Sequence, residues 1–182
     1  MEDQPDEKDP YPSRKHPYRL PRSAYRERDV PMLITIRIRD ALPFLLGRGI
    51  PDRLLRTMEM STERHGCAVI AYTIMPEHVH FVACVSERGG DLVGFIERFK
   101  RQTARELGEM GVPRPVWQRS FHDETAFNED ALAAMVEYVL TNASRRRLCR
   151  RPEDWPWAGF HGYPWDAAPW DVALGGEDET TP

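Results

Sequence analysis

The chain has 182 residues and a mass of 21.1 kDa, with 41% apolar and 30% charged residues, which suits one domain with its own core and leaves no room for two large ones. Its longest apolar runs fall well short of the roughly 20 residues of a membrane span. The acidic opening Met1–Pro10 has no apolar segment of a secretory signal, and three scattered cysteines, Cys67, Cys84 and Cys149, form neither a zinc ribbon nor a disulfide framework. The net charge of −4 hides an uneven distribution. Residues 1–10 carry five acids and one base and residues 166–182 five acids and no base, so residues 11–165 hold 24 bases against 19 acids. The body is basic, its bases are nearly all arginine, and both tails are acidic.

Residues 1–30 are rich in proline and lack apolar periodicity, so they read as an extended arm, basic from Arg14 to Arg28. Ile34, Ile36 and Ile38 recur at period two and predict a half-buried strand over Met32–Arg39. After a loop or short helix over 43–50, Leu54, Leu55, Met58 and Thr62 predict a helix over Asp52–His65 with Asp52 as N-cap. Cys67–Met75 and His78–Ser86 read as two strands of a hairpin broken at Pro76-Glu77. Leu92, Ile96, Phe99, Thr103 and Leu107 form one stripe of a helix over Asp91–Met110. Val116–Phe127 is strand-like. Asn128 caps a further helix that runs toward Arg145–Arg147, whose charges suit its negative end. The Trp- and Pro-rich stretch that follows has no period and reads as irregular. The order β-α-β-β-α-β-α predicts an α+β fold with a central antiparallel sheet, divided into an arm (1–30), a body (31–150) and a C-terminal segment with an acidic tail (151–182).

Two constellations carry chemistry. His78 and His80 lie two apart on a predicted strand and project to the same face, while Val79, Phe81, Ala83 and Val85 turn to the core. Such a pair is either a bidentate metal site or two histidines on a polar surface. Tyr138 and Asn142 lie one turn apart on the last helix, at the border of the stripe formed by Leu132, Met135, Val136, Val139, Leu140 and Ala143. A border tyrosine ordinarily buries its ring and wets its hydroxyl.

The string Tyr72-Thr-Ile-Met-Pro-Glu-His-Val-His-Phe-Val82 resembles the HUH single-strand nucleases. With Val116-Trp117-Gln118-Arg119, Phe121-His122-Asp123, Val136–Asn142 and Glu153–Trp157, the chain is most similar, over about residues 17–160, to the REP-associated tyrosine transposases. The resemblance implies a ferredoxin-like (RRM-like) antiparallel sheet with helices on one face. It implies that Tyr138 is the nucleophile, and that His78, His80 and Asn142 hold Mg²⁺ or Mn²⁺. It further implies cleavage and rejoining of single-stranded DNA at hairpin-forming palindromes through a 5′-phosphotyrosine, in the cytoplasm and away from membranes, by a monomer or homodimer. A tyrosine hydroxyl is a weak nucleophile at neutral pH, and a divalent ion with open positions would polarise the scissile phosphate.

DNA contacts are expected from Arg14, Lys15, Arg19 and Arg22 of the arm, with Tyr11, Tyr18 and Tyr25 stacking on unpaired bases, and from Arg98, Arg101 and Arg105 on one helix face. The chain departs from the family pattern where Ala143 replaces a proline after the asparagine and Glu124 replaces a histidine. A domesticated hairpin-binding protein without catalysis and a small metal hydrolase unrelated to DNA are the competing readings.

Overall fold

The computed structural model describes residues 20–161. Five strands and three long helices follow one another as β1 (Met32–Arg37), α1 (Ile50–His65), β2 (Cys67–Ile74), β3 (His78–Val85), α2 (Leu92–Glu109), β4 (His122–Thr125), α3 (Glu129–Arg145) and β5 (Ala158–Phe160). The strands form one antiparallel sheet in the order β4-β1-β3-β2-β5. The α+β class and the antiparallel sheet expected from the sequence are therefore present. Among the described residues no helix is long and apolar enough to cross a membrane.

The central strand β3 explains the layering. Val79, Phe81, Ala83 and Val85 enter a large core with Ile34, Ile36, α1 and α2, as their alternation predicts. Phe81 packs edge-on against Phe99, with ring centroids 5.2 Å apart. Val82, on the opposite face, joins Ala71, Met75 and Ala158 in a second core beneath Val136, Val139, Leu140 and Ala143 of α3. Helices therefore cover both faces, which corrects the expectation of one: α1 and α2 lie on one side and α3 on the other. A bulge at Ile70 keeps β2 compatible with both layers. Before it Cys67 and Val69 face the large core; after it Tyr72 and Ile74 do.

Local chemistry sets the helix ends. The N-cap of α1 is Gly49 in the left-handed region (φ 73°), two residues before Pro51, so Asp52 lies in the first turn instead of capping it. Gly66 ends α1 with φ 59°, and an added Cβ would stand 2.1 Å from the Gly89 carbonyl oxygen, so only glycine fits. Asp91 and Asn128 cap α2 and α3 by accepting from the Gly94 and Ala131 N–H groups. With alanine at 143, α3 runs to Arg145 and is capped at Arg146. The strand expected over 116–127 narrows to four residues plus a bridge between Ile38 and Trp117. The short β5 falls inside the stretch expected to be irregular, because it exists only through pairing with β2.

The arm departs most from expectation. Residues 20–30 pack onto the body, with a single 3-10 turn at Ala24–Arg26. Tyr25 is fully buried, sits edge-on to Phe121 and accepts the Leu20 N–H at its hydroxyl, so it cannot stack on DNA bases. Arg22 and Arg26 both donate to Asp91 at 3.2 Å, tying the arm to the start of α2. Burial works to raise the Asp91 carboxyl, but the Gly94 N–H and the two guanidiniums outweigh it, and its pKa lies below the ordinary value.

Two outcomes test this packing. Tyr25→Ala should lower the free energy of unfolding by roughly 3 kcal/mol in urea titrations, whereas Tyr25→Phe should cost only about 1 kcal/mol; an arm free in solvent would make both neutral. Asp91→Ala should cost about 1–2 kcal/mol at neutral pH. Because the folded-state pKa of Asp91 is depressed, its contribution is fully present above the ordinary carboxylate range and is lost as pH falls through the folded value. The gap between variant and parent should therefore narrow in acid, and a gap that stays constant to pH 2 would contradict the assignment.

Candidate active site

The face of the sheet under α3 carries a polar row amid apolar packing. His122 on β4 faces Thr35 on β1, Thr35 faces His80 on β3, and His80 faces Thr73 on β2. One pair further along, Arg37 faces His78. The two histidines expected to project together do so: their Nε2 atoms stand 2.9 Å apart and the rings meet edge-to-face. They are buried rather than on an open polar surface, which removes the plainer reading of the pair.

Each ring is oriented by its other nitrogen. His78 Nδ1 lies 3.0 Å from the Glu77 carboxylate, which can only accept, so the proton sits on Nδ1 and Nε2 presents a lone pair. His80 Nδ1 lies 2.8 Å from the Thr35 hydroxyl, which can donate or accept by rotation. Burial lowers the His78 pKa despite its Glu77 partner. Burial, then the neighbouring His78, Arg37 and Arg146, lowers that of His80 further. Both rings are therefore neutral at pH 7, the form that ligates a cation. The His78 N–H and the Arg146 guanidinium hold the Glu77 carboxyl well below the usual carboxylate range.

Helix α3 completes the constellation with three residues spaced by four. At one end the Tyr138 ring packs edge-on to His80, centroids 5.4 Å apart, under the Arg145 guanidinium 5.2 Å from its centre. At the other end Arg146 donates to Glu77. Asn142, between them on the same line, is 6% exposed, and its Oδ1 is enclosed with no hydrogen-bonding partner among the described residues. A buried amide oxygen left unpaired is costly unless something outside the chain satisfies it. Tyr138 is 36% exposed, so its ring is packed on one side and reaches solvent on the other.

This donor set fits a divalent cation of the Mg²⁺ or Mn²⁺ kind. Two neutral imidazole nitrogens about 3 Å apart match adjacent ligands with bonds of about 2.1 Å, and the orphaned amide oxygen is a hard third donor. Among the described residues there is no cluster of three or more His, Cys, Asp and Glu that could hold a metal.

The expected DNA-binding residues fare unevenly. Arg14, Lys15 and Arg19, with Tyr11, Tyr18 and both acidic tails, lie outside the described residues. Arg22 is engaged by Asp91 instead of being free for phosphate. Arg98 is half-buried, with its Nε enclosed beside α1. Arg101 and Arg105 are exposed and line one groove. Thr35, Arg146 and the Arg145–Tyr138 contact were missed from sequence. Thr35 alternates with Ile34 and Ile36, so its facing was readable but not its partner; Arg145 and Arg146 read there as dipole complements only.

The Glu77–Arg146 contact is the tie most open to test. Arg146→Ala should raise amide exchange in the last two turns of α3, at a cost of about 1–2 kcal/mol, and leave α1 and α2 unchanged. Unaltered protection over 138–146 would show that the tie does not hold the helix down.

The comparisons with known proteins agree on kinship. A REP-associated tyrosine transposase of Escherichia coli K12 is 24% identical over 91 residues, covering 50% of this chain and 53% of that protein. A Haemophilus influenzae protein named for the same group is 22% identical over 113 residues, 57% of this chain and 64% of its own length. The chain thus matches about half to two thirds of the length of these relatives. A solved structure of a REP-associated tyrosine transposase bound to a REP hairpin superposes with a TM-score of 0.65 at 20% identity, over 83% of this chain and 84% of that one, and so shares the fold. The family described as IS200-like transposases matches residues 36–142, a stretch that takes in the histidine pair, Tyr138 and Asn142, and the chain belongs to that family.

Proposed function

We propose that this chain is a metal-dependent transposase that cuts and rejoins single-stranded DNA at hairpin-forming palindromes. Tyr138 is the nucleophile, and His78, His80 and Asn142 hold Mg²⁺ or Mn²⁺. The observation that carries this reading is a tyrosine ring 5.4 Å from His80, two neutral imidazoles with facing Nε2 atoms and, one turn along the tyrosine's helix, a buried amide oxygen without a partner. The bound ion would supply charge to the scissile phosphate and orient it.

The chain's own residues account for the rest. The Tyr138 oxygen attacks phosphorus and loses its proton; the bond to the 3′ oxygen breaks, and that oxygen leaves as a 3′-hydroxyl after taking up a proton. The 5′-phosphotyrosine keeps the phosphodiester energy, so a different 3′-hydroxyl can attack it and release the tyrosine, rejoining strands without a nucleotide cofactor. His80 and Arg145 grip the ring from two sides and limit where the hydroxyl swings. Thr35 lets His80 present a lone pair from Nε2, because its hydroxyl can accept the Nδ1 proton. Glu77 keeps His78 in the matching tautomer.

The test is a denaturing gel with hairpin oligonucleotides carrying a flanking single strand, in Mn²⁺. The parent chain should give a covalent protein–DNA band. Tyr138→Phe should abolish the band while retaining DNA binding, and His80→Ala and Asn142→Ala should each reduce it by about 100-fold or more. A band of parental intensity from Tyr138→Phe would place the nucleophile elsewhere. A shifted but uncleaved probe with the parent chain would favour a hairpin-binding protein.

A further inference from the structure

An apolar groove of about 580 Å³ lies between residues 20–32 and the turn from β4 into α3, apart from the tyrosine and the histidines. Leu20, Val30 and Leu132 line it, and Phe127 stands on its wall 89% exposed, more than any other large apolar side chain among the described residues. An aromatic ring left this open on a groove marks a binding surface rather than a core defect. The described residues that line the groove include three acids, Glu27, Asp29 and Glu129, and no base. All three acids are exposed, and none has an ion-pair partner among the described residues. The neighbouring bases turn away: Arg22 and Arg26 donate to Asp91, and Arg28 to the Glu87 carbonyl, each at 3.2 Å. Arg26 and Arg28 alternate with Glu27 and Asp29, so one short stretch sends its bases to residues 87–91 and its acids to the groove.

The chemistry selects the occupant. An apolar wall with a rim of one sign takes a segment that combines apolar or aromatic side chains with positive charge, and it repels phosphate, so this groove is no part of a nucleic-acid path. The chain itself contains such a segment, and that segment ends at the groove. Residues 11–19 hold Arg14, Lys15 and Arg19, no acid, and the rings of Tyr11 and Tyr18. They join directly to Leu20, which is itself a lining residue, so no linker has to be spanned, and nine residues reach at most about 30 Å when extended. Tethering at the groove's own wall gives the segment an effective concentration on the order of millimolar. Residues 1–10, with five acids against one base, are repelled by the same rim, which sets the boundary of the part that fits.

We propose that this groove is the docking site for Tyr11–Arg19 of the same chain, with the three bases against Glu27, Asp29 and Glu129 and a tyrosine ring against Phe127. While seated there, Arg14, Lys15 and Arg19 are withheld from phosphate, so the groove acids and any nucleic acid compete for the same side chains. The docking itself does not depend on the transposase reading; only its consequence for DNA does.

The measurement is limited trypsin digestion of the full chain at low ionic strength, following cleavage after Lys15 and after Arg19 by mass spectrometry. Glu27→Gln/Asp29→Asn/Glu129→Gln, checked for an unchanged melting temperature, should speed both cleavages about tenfold, because cleavage follows the open population once docking is weakened. Raising the salt to about 0.5 M should speed them in the parent chain. Phe127→Ala, which removes an exposed ring and no core contact, should speed them as well. Asp52→Asn/Glu59→Gln/Glu63→Gln on α1, an equal loss of charge, should leave both rates at the parental value. Tyr18→p-benzoylphenylalanine should cross-link on irradiation to residues 126–132 within one chain. Parental rates in both groove variants, or equal acceleration by the α1 control, overturn the proposal. Cross-links that join two chains overturn it in favour of a second copy. Failure of the transposase reading looks different: the parent chain gives no covalent band with DNA, while these cleavage rates and cross-links stand.

Discussion

The central strand β3 has no solvent face, and the rest of the molecule follows from how its two faces are satisfied. One is wholly apolar and closes on α1 and α2 through Val79, Phe81, Ala83 and Val85. The other carries His78 and His80 followed by Val82 and Cys84, and it can be buried only if the imidazoles are partnered. Thr35 from β1 and Glu77 from the hairpin turn supply those partners, and α3 closes over them. Polar satisfaction on one face and hydrophobic burial on the other are thus conditions on the same eight residues. This constrains β3 more tightly than any other element, because a register slip of one residue would drive both histidines into the apolar core.

Burying the pair also determines its chemistry. In water a histidine near pH 7 divides its time between charged and neutral forms; enclosed beside Arg37 and Arg146, both rings are held neutral. Two facing ring nitrogens and one amide oxygen without a partner leave polar atoms buried that the described residues do not fully satisfy. The helix that brings Asn142 is held at both ends, by the Tyr138–His80 contact and the Arg146–Glu77 pair, so the same contacts that dock α3 set the position of the tyrosine. Docking and site assembly are one event.

Charge is partitioned just as sharply. The arginines nearest the N-terminal arm are consumed in structure, with Arg22 and Arg26 on Asp91, while those of the α2 edge stay exposed. A helix N-terminus carries partial positive charge that an acidic cap offsets, and Asp91 performs that role and anchors the arm at once. The arginine surface left exposed is narrower than the count of arginines suggests.

Much of this was legible in the residues alone. Period two in β1 and β3, the stripes of α2 and α3, the cap Asn128, and the shared facing of His78 and His80 are local properties, encoded by spacing and by side chains bonding their own backbone. Resemblance supplied the link between that pair and Tyr138 with Asn142, some 60 residues apart. What needed the folded chain was every property that depends on a partner distant in sequence. Tyr25 looks like an exposed aromatic in a polar arm and is core, because Phe121 lies beside it. Ala158–Phe160 looks irregular and is a strand, because β2 has an edge to fill. Helix α3 crosses to the far face because the bulge at Ile70 and the small residues Ala71 and Ala158 leave an apolar surface there. Local periodicity states which face of an element is apolar; only the competition among all such faces for burial decides what each one covers.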